Sequence, residues 1–179
     1  LFKREQVKPE IIYAFRQPIL QAIVYEDIEP ARRKQLHFIT AEAIQALYPE
    51  EINKQATILA YHHIQAGNKG SAGKFFSLAA NQALNEERDQ EAEELFGRAI
   101  AFTKNRRDKA ELYLGLGKTL AHQRQHSDAI QTWEKAAKTF IALHDHPMIA
   151  KTYALMARSA WGNSDLQKCL EIALAGWEL

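Results

Sequence analysis

Small and bulky residues recur three times along this chain at one spacing: Ala92, Phe96 and Ala99; Ala129, Trp133 and Ala136; Cys169, Ala173 and Gly176. In the third set alanine takes the bulky place. The sets lie 37 residues apart (92 to 129) and then 40 (129 to 169), and their steps of four and three put each on one helical face. A slim residue precedes each set on the preceding helical segment: Ala80, Gly117 and Ala157. A period of this length belongs to stacked helix pairs, each contacting only its neighbours. Slim residues let two helix axes approach, so that a facing ring such as Phe96 or Trp133 can sink between them.

From Pro18 onward nearly every segment reads as helix. Ile19, Ile23 and Val24 share a face of a short helix ending before Pro30, which then opens the next helix as a first-turn proline. Leu36, Ile39, Ala43, Ile44 and Leu47 form the apolar stripe of that second helix, and Pro49 stops it. Ile52, Ala56, Leu59, Ala60 and His63 mark a third, and Ala72, Phe75, Phe76, Ala79, Ala80 and Ala83 a fourth. Further helices are expected over about 88–103, 106–124, 127–143, 147–161 and 164–178. Asp145 before Pro147 reads as a helix start, and Ser164 with Gln167 has the spacing of a capping box. Residues 1–16 differ: Phe2 and Ile11, Ile12, Tyr13 and Phe15 flank a polar stretch with Pro9, the pattern of a small β-hairpin.

Composition narrows the function. Of 179 residues, 46% are hydrophobic, enough for a sizeable core, and 23 lysines and arginines meet 22 acids. That balance argues against a general nucleic-acid binder or a polybasic membrane anchor. A single cysteine, Cys169, forms no internal disulfide framework and fits a reducing, cytoplasmic setting. The chain has no initiator methionine and stops within an apolar helical pattern at Leu174, Trp177 and Leu179, so it is expected to be an excised piece of a longer polypeptide.

The small and aromatic positions over roughly residues 70–179 resemble tetratricopeptide (TPR) repeats of long period. The stretch from Ala110 to Phe140 is most similar, with Tyr113, Leu116, Gly117, Leu120, Ala129, Trp133 and Ala136 at the positions of that motif. A second resemblance covers residues 10–100. The run Tyr13 to Tyr25, with Arg32, Arg33, Leu36 and His37, is similar to the junction in STAND-type signalling ATPases where a winged-helix domain ends and a helical array begins. Leu59, Ala60, Tyr61 and His62, with Ala66, Gly67, Ala72, Ala79 and Ala80, resemble the first helical pair of that array. Gln17 stands where many members have histidine and Ala22 where many have glutamate. The resemblance implies that residues 1–29 end a winged-helix-like domain and residues 30–179 form a TPR-like domain. It also implies a parent carrying its nucleotide site, and a cyclase, kinase or DNA-binding output domain, outside this segment.

Candidate chemistry is weak by comparison. Gly67-Asn68-Lys69-Gly70-Ser71-Ala72-Gly73-Lys74-Phe75 resembles a phosphate loop, yet Asn68 and Phe75 stand where glycine and a hydroxyl residue are required, and a helix precedes it. It reads as a turn, and no cofactor is expected. His122 and His126 are four apart, but no further ligand sits in register, so no metal is expected. Cys169 occupies a packing position and reads as a buried, inert thiol. Glu86, Glu87, Glu91, Glu93 and Glu94 read as a solvated face, with Arg88 and Arg98 in ion-pair spacing. Arg32 and Arg33, and Arg106 and Arg107, are the candidate contacts to a partner.

These readings converge on an all-α, right-handed superhelix of antiparallel helix pairs behind a short hairpin. The expected function is non-catalytic: an interaction scaffold for a protein, a peptide or another domain of the same polypeptide, in a signal-transduction protein. The alternative is an accessory nucleic-acid module of a transcriptional regulator, contacting phosphates through Arg106 and Arg107.

Overall fold

The computed structural model describes residues 2–6 and 12–178. Two short strands, β1 (Phe2–Gln6) and β2 (Ile12–Phe15), pair antiparallel, with Phe2 opposite Phe15 and Lys3 opposite Ala14. The turn expected around Pro9 lies in residues 7–11, outside the described residues. Nine helices follow among the described residues: α1 (Pro18–Asp27), α2 (Pro30–Leu47), α3 (Ile52–Gln65), α4 (Lys69–Asn85), α5 (Asp89–Phe102), α6 (Arg106–His122), α7 (His126–Ala142), α8 (His146–Gly162) and α9 (Leu166–Trp177). A 3-10 turn, Pro49–Glu51, joins α2 to α3.

From α2 to α9 each helix packs on the next in sequence, so the core is a line of interhelical seams. Six three-residue turns connect α3 through α9. Five share a device: a residue with positive φ, namely Gly67, Glu87, Arg124, His144 and Ser164, followed by a backbone N–H that closes back onto the preceding helix. Asn68 N donates to His63 O, Arg88 to Ala83, Gln125 to Leu120, Asp145 to Phe140 and Asp165 to Ala160. This satisfies helix-end carbonyls and reverses the chain tightly, forcing antiparallel neighbours. The sixth turn, between α5 and α6, is extended at Thr103 and Asn105. There Asn105 caps α6, its side-chain oxygen accepting from Arg107 N at 2.8 Å and Asp108 N at 3.1 Å.

Asp145 caps α8 by accepting from Met148 N, as its position before Pro147 predicts. The capping box expected at Ser164 is corrected: Ser164 holds the left-handed turn, and Asp165 is the cap, accepting from Lys168 N at 3.0 Å. The stripe expected on α2 is corrected too. His37 and Ala41 are its buried residues, Ile44 is half-buried, and Ile39 and Leu47 are exposed. A spacing of four and three (37, 41, 44) defines the packed face; the aliphatic residues merely outnumber it on the other side.

Candidate functional site

The packing residues read from the sequence differ in burial. Ala80, Ala92, Phe96, Ala99, Gly117, Ala129, Trp133 and Ala136 are buried. Trp133 lies against Gly117, where an added Cβ would come within 2.3 Å of the indole nitrogen, and that Nε1–H donates to the Leu114 carbonyl at 3.1 Å. Phe96 shares a core cluster with Ala80 and lies against Gly115 on the following helix, α6, where a Cβ would meet Cζ at 2.3 Å. Gly115 escaped notice because the repeat register drew attention to Gly117, two positions on. Tyr113 and Ala157 are half-buried, and Lys135 Nζ lies 5.7 Å from the Tyr113 ring centre. Cys169 is half-buried, not enclosed. Gly176 lies under Tyr153, where a Cβ would meet that residue's Cβ at 2.7 Å. The same spacing also occurs in α3, at Ala56, Ala60 and His63, all buried.

The opposite face of the first helix of each pair leads to the site. Helices α4, α6 and α8 together line a cleft of about 700 Å³. Two smaller clefts adjoin it, sharing Leu84 and Lys118 at one end and Lys74, Thr103 and Asp108 at the other. The result is one groove running across three successive pairs. Its side chains follow the same offsets as the packing trios: Lys74, Glu111 and Lys151 occupy one repeat position, and Asn81, Lys118 and Arg158 another. That register was legible in the sequence once the trios were aligned. Exposed charges at helical spacing, read singly, gave no reason to look there.

The candidate arginines are not gathered at one place. Arg32 on α2 donates to Gln35 at 2.6 Å, and Arg33 stacks over the Tyr25 ring at 5.2 Å. Arg106 is exposed at the start of α6. Arg107 is engaged by Glu111 at 3.4 Å and by Asp145 at 2.8 Å, tying α6 to the start of α8.

Histidines form packing contacts. His122 and His126 fall on different helices; His122 Nδ1 lies 3.4 Å from Asp89 and His126 Nδ1 3.0 Å from Ser159 Oγ. Tyr25 Oη is 2.9 Å from His37 Nε2, and His37 Nδ1 is 2.9 Å from His62 Nδ1. With Tyr25 donating, His37 keeps its proton on Nδ1 and donates it to His62, which links α1, α2 and α3. His63 is buried and stacked on Phe75 at 5.2 Å, with neither ring nitrogen hydrogen-bonded. Burial lowers the pKa of all three rings; His37 and His63 lower that of His62 further, while Glu42 opposes the shift at His63. No group of three or more metal-ligating side chains occurs among the described residues. The phosphate-loop look-alike is a turn at Gly67 followed by the first turn of α4, with Asn68 as cap accepting from Ser71 N. The glutamate run is solvated: Arg88 pairs with Glu86 and Glu91, and Arg98 with Glu94.

Neither a protein-family model nor a curated protein matches the chain. Among solved structures it is similar to that of MamA, a TPR-like helical repeat protein, with a TM-score of 0.52 at 15% identity, over 77% of this chain and 83% of that one. At that identity the likeness shows fold alone, and the fold is a TPR-like helical repeat. No helix among the described residues is long and apolar enough to cross a membrane.

Proposed function

We propose that this chain is a non-catalytic, cytoplasmic scaffold that holds a protein segment, or another domain of its own polypeptide, in the groove along α4, α6 and α8. The observation carrying this reading is that groove. Three successive pairs set equivalent side chains, such as Lys74, Glu111 and Lys151, side by side along it. TPR-like folds generally bind proteins or peptides, which supports it.

In this reading the pairs coil as a right-handed superhelix, and residues 1–29, with their paired strands read as a hairpin, close a winged-helix-like domain. Residues 30–179 are then the regulatory arm of a STAND-type signalling ATPase, and occupancy of the groove biases the upstream switch between closed and open states. The support is the run Tyr13–Tyr25 with Arg32 and Arg33. Those arginines, with Arg106 and Arg107, are proposed as outlying contacts.

Panning a random peptide library on the full chain tests the proposal. Recovered peptides are expected to compete with one another and to lose binding to Ser77→Trp, which fills the groove floor. Ligands indifferent to that substitution refute it.

A further inference from the structure

Resting on that reading, we infer that the groove selects an acidic, extended peptide segment carrying leucine-sized apolar side chains. Lys69, Lys74, Lys104, Lys118, Lys151 and Arg158 line the three adjoining clefts, and none makes an ion pair among the described residues. The carboxylates lining them are Asp108 and Glu111, and Glu111 is held by Arg107. A chain of net charge +1 has thus concentrated uncompensated cations in one groove, so the rest of its surface holds more carboxylates than cations. Cations kept together without partners repel one another, and an anionic ligand relieves that repulsion as well as adding attraction.

The groove is not cationic alone. Exposed Leu78 and half-buried Met148 supply apolar surface between the lysines, with the buried Leu112 and Leu114 beneath them. Asn81 spends its amide N–H on the Ser77 carbonyl at 2.7 Å and keeps its oxygen as an acceptor, and Asn85 adds a second amide. Alternating charge, apolar floor and amide suit a peptide backbone whose side chains alternate in the same way. A nucleic-acid strand makes no use of such a floor. Of the rings bordering the clefts, Phe96 and Trp133 are buried in the seams and half-buried Phe102 is stacked on Phe76, which leaves His122, beside Asp89, as the exposed ring.

Three degenerate twelve-residue peptide pools test this by fluorescence anisotropy on the full chain. All share alternating Leu, Ile and Val; the remaining positions are Asp/Glu, Ser/Gln or Lys/Arg. The acidic pool should bind about tenfold or more tighter than the neutral one and weaken as salt is raised. The double charge reversal Lys118→Glu/Lys151→Glu should abolish that preference, while Lys138→Glu/Lys168→Glu, on α7 and α9 outside the clefts, leaves it intact; melting curves of both variants check folding. Equal binding of the neutral pool, lost in Ser77→Trp, overturns the inference and leaves the scaffold reading standing. Failure of the acidic pool to bind overturns the inference, and peptide binding that Ser77→Trp does not touch overturns both. A single-stranded DNA twenty-mer binding as tightly as the acidic pool, through the same two lysines, also overturns it.

Discussion

The α6–α7 pair and the two ends of the chain treat their apolar residues in opposite ways. On α6 and α7, Leu120, Ile130, Trp133 and Phe140 are all buried. On α1, Ile19, Ile23 and Val24 are exposed to solvent, and on α9 so are Leu166, Leu170, Leu174 and Trp177. Equivalent positions make the contrast sharp: Ile130 on α7 is 2% exposed, whereas Leu170, one repeat later on α9, is 61% exposed. Both helices carry the same kind of stripe. What differs is whether a described neighbour lies on each side, because a helix in a one-dimensional stack takes its stability from both seams. An interior pair therefore reports the packing code, and an end helix reports only half of it.

The largest test of that contrast is truncation at one site of each kind. Trp133→Ala removes a ring that fills a seam and donates to Leu114, and should cost about 3–5 kcal/mol in urea unfolding of the full chain. Ile23→Ala on α1 should stay within about 0.5 kcal/mol, the range of exposed positions. Comparable losses at the two sites would mean that the α1 face is packed in solution, and the comparison would fail.

Glycines sharpen it next, because sign and not only size should change. Gly97→Ala on α5 meets open space, so the gain in helix propensity is unopposed, and stability should rise by about 0.5–1 kcal/mol. Gly117→Ala should instead fall by about 1–3 kcal/mol, since the new methyl meets a rigid, hydrogen-bonded indole that cannot swing away. Thermal melts of the two variants decide it; a stabilised Gly117→Ala would show that the seam has slack.

The sequence made the interior legible for the same reason. Repeat spacing, Gly117 facing Trp133, the Asp145 cap and six of the seven buried residues of α4, all but Gly73, follow from periodicity and turn chemistry, which are local. Three features were not local. The α2 face turned because His37 finds Tyr25 and His62, residues on two other helices, and a hydropathy stripe does not register such hydrogen bonds. Gly115 is a seat for a ring that comes from α5, and only the relative register of two helices reveals it. The groove cations were visible as letters, yet their grouping depends on α4, α6 and α8 lying side by side. Core positions write themselves into a sequence because burial restricts residue type at every repeat, while a binding face restricts only its few contacts.

The smallest effect concerns the α1–α3 end, where the comparison turns on protonation. Burial holds His37, His62 and His63 below the ordinary imidazole value of 6.5, so the unfolded chain binds protons more readily than the folded one. Stability from these neutral rings is therefore complete above 6.5 and is lost as pH falls from there through the lower folded-state values. A second proton on both His37 and His62 also leaves two donors facing each other at Nδ1, which opens the link between α2 and α3. Melting temperature should fall between pH 7 and pH 5. His63→Phe, which keeps the stack on Phe75 and removes two unpartnered ring nitrogens, should flatten that fall. His144→Gln and His146→Gln, exposed at the α7–α8 turn, should leave it unchanged. Hydrogen exchange locates the loss: amides of α2 and α3 should gain exchange at pH 5 while those of α6 and α7 keep their protection, and uniform loosening along the stack would refute a local origin.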